Sequence, residues 1–234
     1  MRKQDFPADK LFRLEFFQDI PKDKAAGILE AGSIKSLQKG EVLFHQGNVA
    51  NKCFLVLSGR LKLSKLHEEG REAVLRYIGF GELAAVAAVI KENQYPASAK
   101  AICVTELVVW NRESWLRLLR QHPQLAVNIV GMAFDRMEEI QQRFLEISAE
   151  QTERRIARAI LRIMQHTGTR SDKGIVIEME ISREDLADFT GTTHYTVSRI
   201  LSDWTRKGWV STTRRQITVL DAHSLILLTE DPSV

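Results

Sequence analysis

Cysteine is scarce in this chain: only Cys53 and Cys103 occur in 234 residues, so no disulfide framework shapes it. Both sit among apolar residues with strand spacing, which reads as inert core thiols, with a redox pair as the alternative. Long apolar runs are missing as well, because Lys, Glu or Arg breaks every candidate membrane span. The opening Met1-Arg-Lys-Gln-Asp-Phe6 lacks the apolar stretch of a signal peptide, so a cytoplasmic protein away from any membrane is expected. The six histidines, at 45, 67, 122, 166, 194 and 223, form no His-x-His or His-Glu-x-x-His set, and no metal site is expected. Gly79-Phe-Gly81 lacks the further glycine and the strand–helix setting of a dinucleotide loop. No Gly-x-Ser-x-Gly elbow or phosphate loop occurs either. Metal, dinucleotide and serine-nucleophile chemistry are thus unsupported, and the chain is expected not to be an enzyme.

What the sequence does hold is concentrated in its last third. Ile181 to Gly208 reads as two short helices joined by a tight turn. Ser182 followed by Asp185 suits a capping box, and Leu186, Ala187 and Phe189 supply an apolar face. Gly191 stands at the bend, where a residue without Cβ takes φ > 0 at little cost. Thr192 or Thr193 caps the second helix, whose Val197, Ile200, Leu201 and Trp204 recur at inward-facing spacing. The other face carries His194, Tyr195, Ser198, Arg199 and Ser202. A helix docked in a major groove presents such N-terminal residues to base edges, and an Arg there can donate twice to guanine. Trp209 to Leu220 reads as two alternating strands around a polar tip, a wing, with Arg214 and Arg215 at the tip. The alternative is a plain helical hairpin with a solvated face. The net charge of +3 is unevenly spread: residues 151–220 hold 12 Lys and Arg against 8 Asp and Glu, which favours a polyanionic partner.

Two further patterns precede this segment. Ala126, Val130, Ala133, Met137, Ile140, Phe144 and Ile147 are spaced alternately four and three apart, the seam of a two-stranded coiled coil. His122-Pro123 marks its start, since Pro suits a first helical turn. A homodimer is expected, with packing on the chain's own core as the alternative. Two recognition helices would then lie about 34 Å apart on DNA and read a pseudo-palindrome. Ahead of the seam, short apolar strands are punctuated by Gly40, Gly47, Gly59, Gly70, Gly79 and Gly81. Arg60–Leu66 and Arg71–Ile78 form a hairpin, and Ala99–Trp110 supplies two more strands of a barrel or jelly roll. Pro7 to Ala31 is expected to be helical.

Barrel, long helix and winged helix-turn-helix in this order resemble the Crp/Fnr superfamily of bacterial transcription regulators. The likeness extends over nearly the whole chain, through Lys39-Gly-Glu41, Phe44-His-Gln-Gly47, Leu57-Ser-Gly-Arg60, Phe80-Gly-Glu-Leu83 and Thr196-Val-Ser-Arg199. It implies an α+β chain of three segments: a sensor barrel with N-terminal helices over 1–121, a dimerisation helix over 122–149 and a DNA-binding domain over 150–234. The resemblance also implies double-stranded DNA, a second copy of the chain and RNA polymerase as partners. His194, Tyr195, Ser198 and Arg199 match its base-reading set. Arg183, Thr193 and Thr196 match phosphate contacts, and Arg214 and Arg215, on a wing turn that should run over the DNA backbone, are expected to contact phosphate as well. Where the family usually has Glu this chain has Tyr195, so a different operator is expected.

The effector pocket implied by the resemblance comprises Gly81, Glu82, Leu83, Tyr95, Pro96, Ala97, Ser98 and Ile140. Cyclic-nucleotide-binding members follow Gly-Glu with an Arg-Ser pair, whose Arg neutralises the phosphate. This chain reads Tyr95-Pro-Ala-Ser98 there and has no Arg between Arg76 and Arg112. A buried phosphate without its cation is poorly compensated, so cyclic nucleotide binding is not expected. Iron–sulfur members carry an N-terminal cysteine cluster, and no Cys precedes Cys53, so no cluster is expected either. Haem stays open, with His45 and His67 as axial candidates, and the cofactor is otherwise unassigned. The Tyr95–Ser98 variant resembles members that sense redox state or nitrogen oxides. The competing readings are a cyclic-AMP-responsive regulator and a nucleotide-sensing module of an enzyme.

Overall fold

The run Cys53-Phe-Leu-Val-Leu57 contains no polar residue, and all five side chains are buried. It forms the middle of strand β3 (Lys52–Ser58). A strand that is apolar without alternation needs cover on both faces. Here β3 lies inside a sheet of order β1 (Ser33–Leu37), β8 (Thr105–Asn111), β3 and β6 (Leu83–Ala84). A second sheet has the order β2 (Val42–Phe44), β7 (Ser98–Ala101), β4 (Leu61–Leu66) and β5 (Glu72–Ile78). Every pairing is antiparallel, as expected for a jelly roll. Phe54 of β3 stacks on Phe44 of β2 at 5.6 Å, joining the two sheets. On the outer face, Trp110 donates its indole N–H to the Ile28 carbonyl of α1 (Lys22–Glu30) at 2.9 Å. Phe16 stacks on Trp115 at 6.0 Å. Rings of this size each contribute about 1.5–3 kcal/mol when buried.

The computed structural model describes residues 11–66, 72–91, 94–177, 181–213 and 216–230. Two compact units divide the chain between residues 139 and 140. The expected helix from Pro7 to Ala31 is corrected: residues 7–10 lie outside the described residues, and the remainder holds a 3-10 turn (Glu15–Phe17) and α1. Between them Asp19 takes φ 59°, and Pro21 keeps its neighbour out of the α region. Cys53 is buried as expected, and burial pushes its thiol pKa well up. Cys103 is exposed, contrary to the reading of both thiols as core. Its strand ends early: β7 stops at Ala101, and Thr105 donates its hydroxyl to the Cys103 carbonyl at 2.9 Å across the turn.

After α2 (Val86–Ile90), helix α3 (Arg112–Gln121) starts on an Asn111 cap that accepts from the Ser114 N–H at 2.8 Å. Helix α4 (Pro123–Ala149) opens on the proline, as the His-Pro pair suggested. Its first turns are anchored in the first unit by buried Leu125 and by Asn128, which donates to the Phe16 and Gln18 carbonyls at 3.1 and 2.8 Å. None of the described helices is long and apolar enough to cross a membrane.

In the second unit, α5 (Thr152–Thr167) buries Ile156, Ala157, Ile160 and Ile163, and packs on α6 (Arg183–Thr190) and α8 (Ala222–Glu230). Helix α7 (His194–Arg206) follows α6. The sheet beside them has the order β11 (Val210–Thr212), β12 (Ile217–Val219), β10 (Gly174–Ile177), β9 (Gly168–Ser171). The wing strands are thus where the alternation put them. The β9–β10 hairpin was not foreseen, because β9 is exposed along its whole length and shows no apolar alternation.

Candidate nucleic-acid interface

The helix pair is built by local chemistry. Ser182 accepts from the Asp185 N–H at 3.0 Å, and Asp185 accepts from the Ser182 N–H at 3.0 Å, a complete capping box. Helix α6 stops at Gly191, whose φ of 62° is left-handed. Of the two candidate threonines, Thr193 is the cap of α7: its hydroxyl accepts from the Thr196 N–H at 3.3 Å. Val197, Ile200, Leu201 and Trp204 are all buried as the spacing required. Trp204 donates its indole N–H to Glu153 at 2.8 Å, fixing α7 to α5.

That packing turns the remaining face outward. Tyr195 is 75% exposed, Arg199 and Ser202 are exposed, and His194 and Ser198 are half-buried. The His194 and Tyr195 rings lie 3.9 Å apart, so the two side chains present one aromatic surface. Thr193 is exposed, and its hydroxyl lies 3.0 Å from that of half-buried Thr196. Arg183 donates to the Thr213 carbonyl of the wing at 3.3 Å, so it stands where α6 meets the wing. Arg214 and Arg215 lie outside the described residues. At the far end of α7, Asp203 pairs with Arg206 at 2.9 Å and Lys207 at 2.8 Å. Hydrogen bonding from Lys207, then from Arg206, holds the Asp203 carboxyl below the usual carboxylate range.

The seam of α4 is open. Val130, Met137, Ile140, Phe144 and Ile147 are 45–68% exposed, and Ala133 is exposed beside them. Ala126 is half-buried. Val127 and Phe134, not assigned to the seam from spacing, widen the exposed apolar stripe.

In the barrel, Glu82 accepts from the Gly79 N–H at 2.6 Å and forms an ion pair with Arg76 of β5. Sequence reasoning missed Arg76, having sought the cation after Glu82 rather than before it. No strand pattern marked it, because the ladder from β5 to β4 shifts register between Val74 and Arg76 and simple alternation does not carry through to Arg76. Burial pulls the Arg76 pKa down, and Glu82 opposes that. Gly81 is buried with φ 80°, and Leu83 is half-buried. Tyr95 stacks on Phe44 at 4.1 Å and donates its hydroxyl to the Lys52 carbonyl at 2.9 Å. Ala97 is buried, Pro96 exposed, and Ser98 accepts from the Gln46 N–H at 2.9 Å. Ile140 belongs to the second unit. Of the haem candidates, His45 is exposed and His67 lies outside the described residues. No cluster of three metal-binding side chains occurs among the described residues.

The cyclic nucleotide-binding domain family matches residues 34–122, and the Crp-like helix-turn-helix domain family matches residues 154–228. The cyclic AMP receptor protein of Thermus thermophilus is 31% identical over 172 residues, which cover 74% of this chain and 76% of that protein. The chain belongs to the Crp/Fnr family. The transcriptional activator protein anr of Pseudomonas aeruginosa is 27% identical over 194 residues, 83% of this chain and 79% of that one. The solved structure of FixK2 from Bradyrhizobium japonicum shares the fold at a TM-score of 0.71 and 20% identity, covering 86% of this chain and 99% of the other. As a Crp/Fnr protein, the chain is a transcription regulator with a helix-turn-helix DNA-binding domain behind a cyclic-nucleotide-binding-type barrel.

Proposed function

We propose that this Crp/Fnr regulator is a cytoplasmic homodimer that reads a pseudo-palindromic operator with α7 and answers to an effector other than a cyclic nucleotide. One observation carries the DNA half: α7 buries its whole apolar face and leaves Tyr195, Arg199 and Ser202 exposed beside His194 and Ser198. In this reading His194, Tyr195, Ser198 and Arg199 meet base edges, while Thr193, Thr196, Arg183 and the wing arginines Arg214 and Arg215 meet phosphates. The open α4 seam joins two copies through the seven seam residues. Residues 1–121 sense, 122–149 dimerise and 150–234 bind DNA. RNA polymerase is the further partner, and no catalysis is assigned.

The Arg76–Glu82 pair and the Tyr95–Ser98 segment support the effector half. In cyclic-nucleotide-binding members the glutamate at this place accepts from a ribose hydroxyl. Here Glu82 already receives Arg76 and the Gly79 N–H. The barrel then takes a redox signal or another small effector. Selection of DNA sites from a random pool tests the DNA reading. A two-fold-symmetric motif with half-sites one helical turn apart is expected. Recovery of unselected sequence overturns it.

A further inference from the structure

DNA reading accounts for the outer face of α7 but not for the arginines packed behind its turn. The Arg155 guanidinium lies where two helices end. Its Nε donates to the Thr190 carbonyl at 2.9 Å. Its Nη1 donates to the Glu150 and Ile147 carbonyls at 2.7 and 3.4 Å. Its Nη2 donates to the Gly191 carbonyl at 3.5 Å and to the Thr152 hydroxyl at 3.2 Å. A guanidinium has five N–H donors, and each meets one acceptor here. Ile147 and Glu150 belong to the end of α4, whereas Thr190 and Gly191 form the end of α6 and its bend. Such terminal carbonyls lack helical partners and carry the negative end of the helix dipole. One cation therefore satisfies two converging helix ends.

Arg143, nearly two turns before the end of α4, repeats the link. Its Nη2 donates to the Phe189 carbonyl at 3.2 Å, and its guanidinium lies 4.0 Å over the Phe189 ring. A Cβ on Gly191 would stand 3.4 Å from the Ile147 side chain, so helix and bend are in close approach. Residues 189–191 lead directly into the Thr193 cap of α7. The direction of α7 is thus tied to the end of α4 through backbone carbonyls of the bend.

We infer that Arg155, assisted by Arg143, is a positioning residue for DNA recognition: it sets the angle between the end of α4 and α7 without touching DNA. Its five donors are engaged inside the protein, leaving none for a phosphate. The inference rests on α7 being the reading helix, and its test separates the two. Spin labels at exposed Gln142 and Ser202, in a full-length Cys103→Ser background, read the α4–α7 distance without DNA. The wild type should give a narrow distribution and Arg155→Gln a broad one. On the selected operator, Arg155→Gln should bind about tenfold more weakly, with an unchanged slope of log K against log salt. A lost phosphate contact would instead flatten that slope by about one unit. If Arg155→Gln fails to fold, Arg155→Lys decides. It keeps the charge but has three donors for five acceptors, and broadening is again expected. A distribution as narrow as wild type in the folded variant, an unchanged affinity, or a flattened slope overturns the inference. A wild type that is narrow in distance yet unselective for DNA sinks the reading of α7 instead.

Discussion

Arg199 and Asp203 lie one turn apart on α7, and their chemistry differs. Arg199 is exposed on the face of α7 proposed to read DNA, so Arg199→Ala should cost about 1–3 kcal/mol of operator affinity and relax selectivity at one base pair per half-site. Site selection on the variant checks this, and an unaltered motif would mean that α7 docks in another way. Asp203 is held by Lys207 and Arg206, and its folded pKa is depressed. A depressed carboxylate pKa stabilises above the unfolded value, near 4, and that contribution disappears as pH falls through the folded value. Asp203→Asn should therefore lower thermal stability at neutral pH and leave it unchanged once the pH has fallen through the folded value. Melts across the acid range would show the two curves converging. A constant gap would mean that the pair does not titrate with folding. At this scale the caps, the bend glycine and the inward residues of α7 were legible in the sequence, because each rests on local spacing. The Arg76–Glu82 pair and the Arg155 bonds were not. They depend on which carbonyls and carboxylates the fold brings beside a guanidinium, and no spacing encodes that.

Elements with an amphipathic period were likewise legible. The 4-3 spacing marked α4, the alternation marked β4, β5, β11 and β12, and glycines marked the turns. What escaped was the β9–β10 hairpin, because the exposed residues of β9 join the ladder by pairing with β10 rather than by pattern. The break at Asp19 and Pro21 was also misjudged, since a backbone reversal can interrupt a segment of good helical composition. The α4 stripe makes the strongest claim at this scale. Phe144 at 68% and Ile140 at 55% exposure are costly to leave in water on a helix of 27 residues. Met137→Glu with Ile140→Glu would bury charges in a two-copy seam at several kcal/mol. Sedimentation should then record monomers in place of the dimer proposed for the wild type. A double variant that still sediments as a dimer would place the interface elsewhere.

For the whole molecule, the order of barrel, long helix and winged helix-turn-helix could be read from sequence, because each segment carries its own periodicity. The effector could not, since specificity resides in a few side chains whose meeting depends on tertiary geometry. Calorimetric titration with cyclic AMP and cyclic GMP should show no saturable binding in the micromolar range, that is, nothing stronger than about −8 kcal/mol. Micromolar binding that also tightens the grip on DNA would overturn the effector proposal. The placement of the four tryptophans has a separate use. Trp110 and Trp115 are buried in the first unit with their rings 5.2 Å apart, and Trp204 and Trp209 lie 6.2 Å apart in the second. Each unit thus carries its own fluorophore pair. Replacing one pair with phenylalanine leaves an emission signal that belongs to the other unit alone. Quenching by an effector and quenching by DNA can then be recorded as separate optical signals from two complementary unlabelled variants.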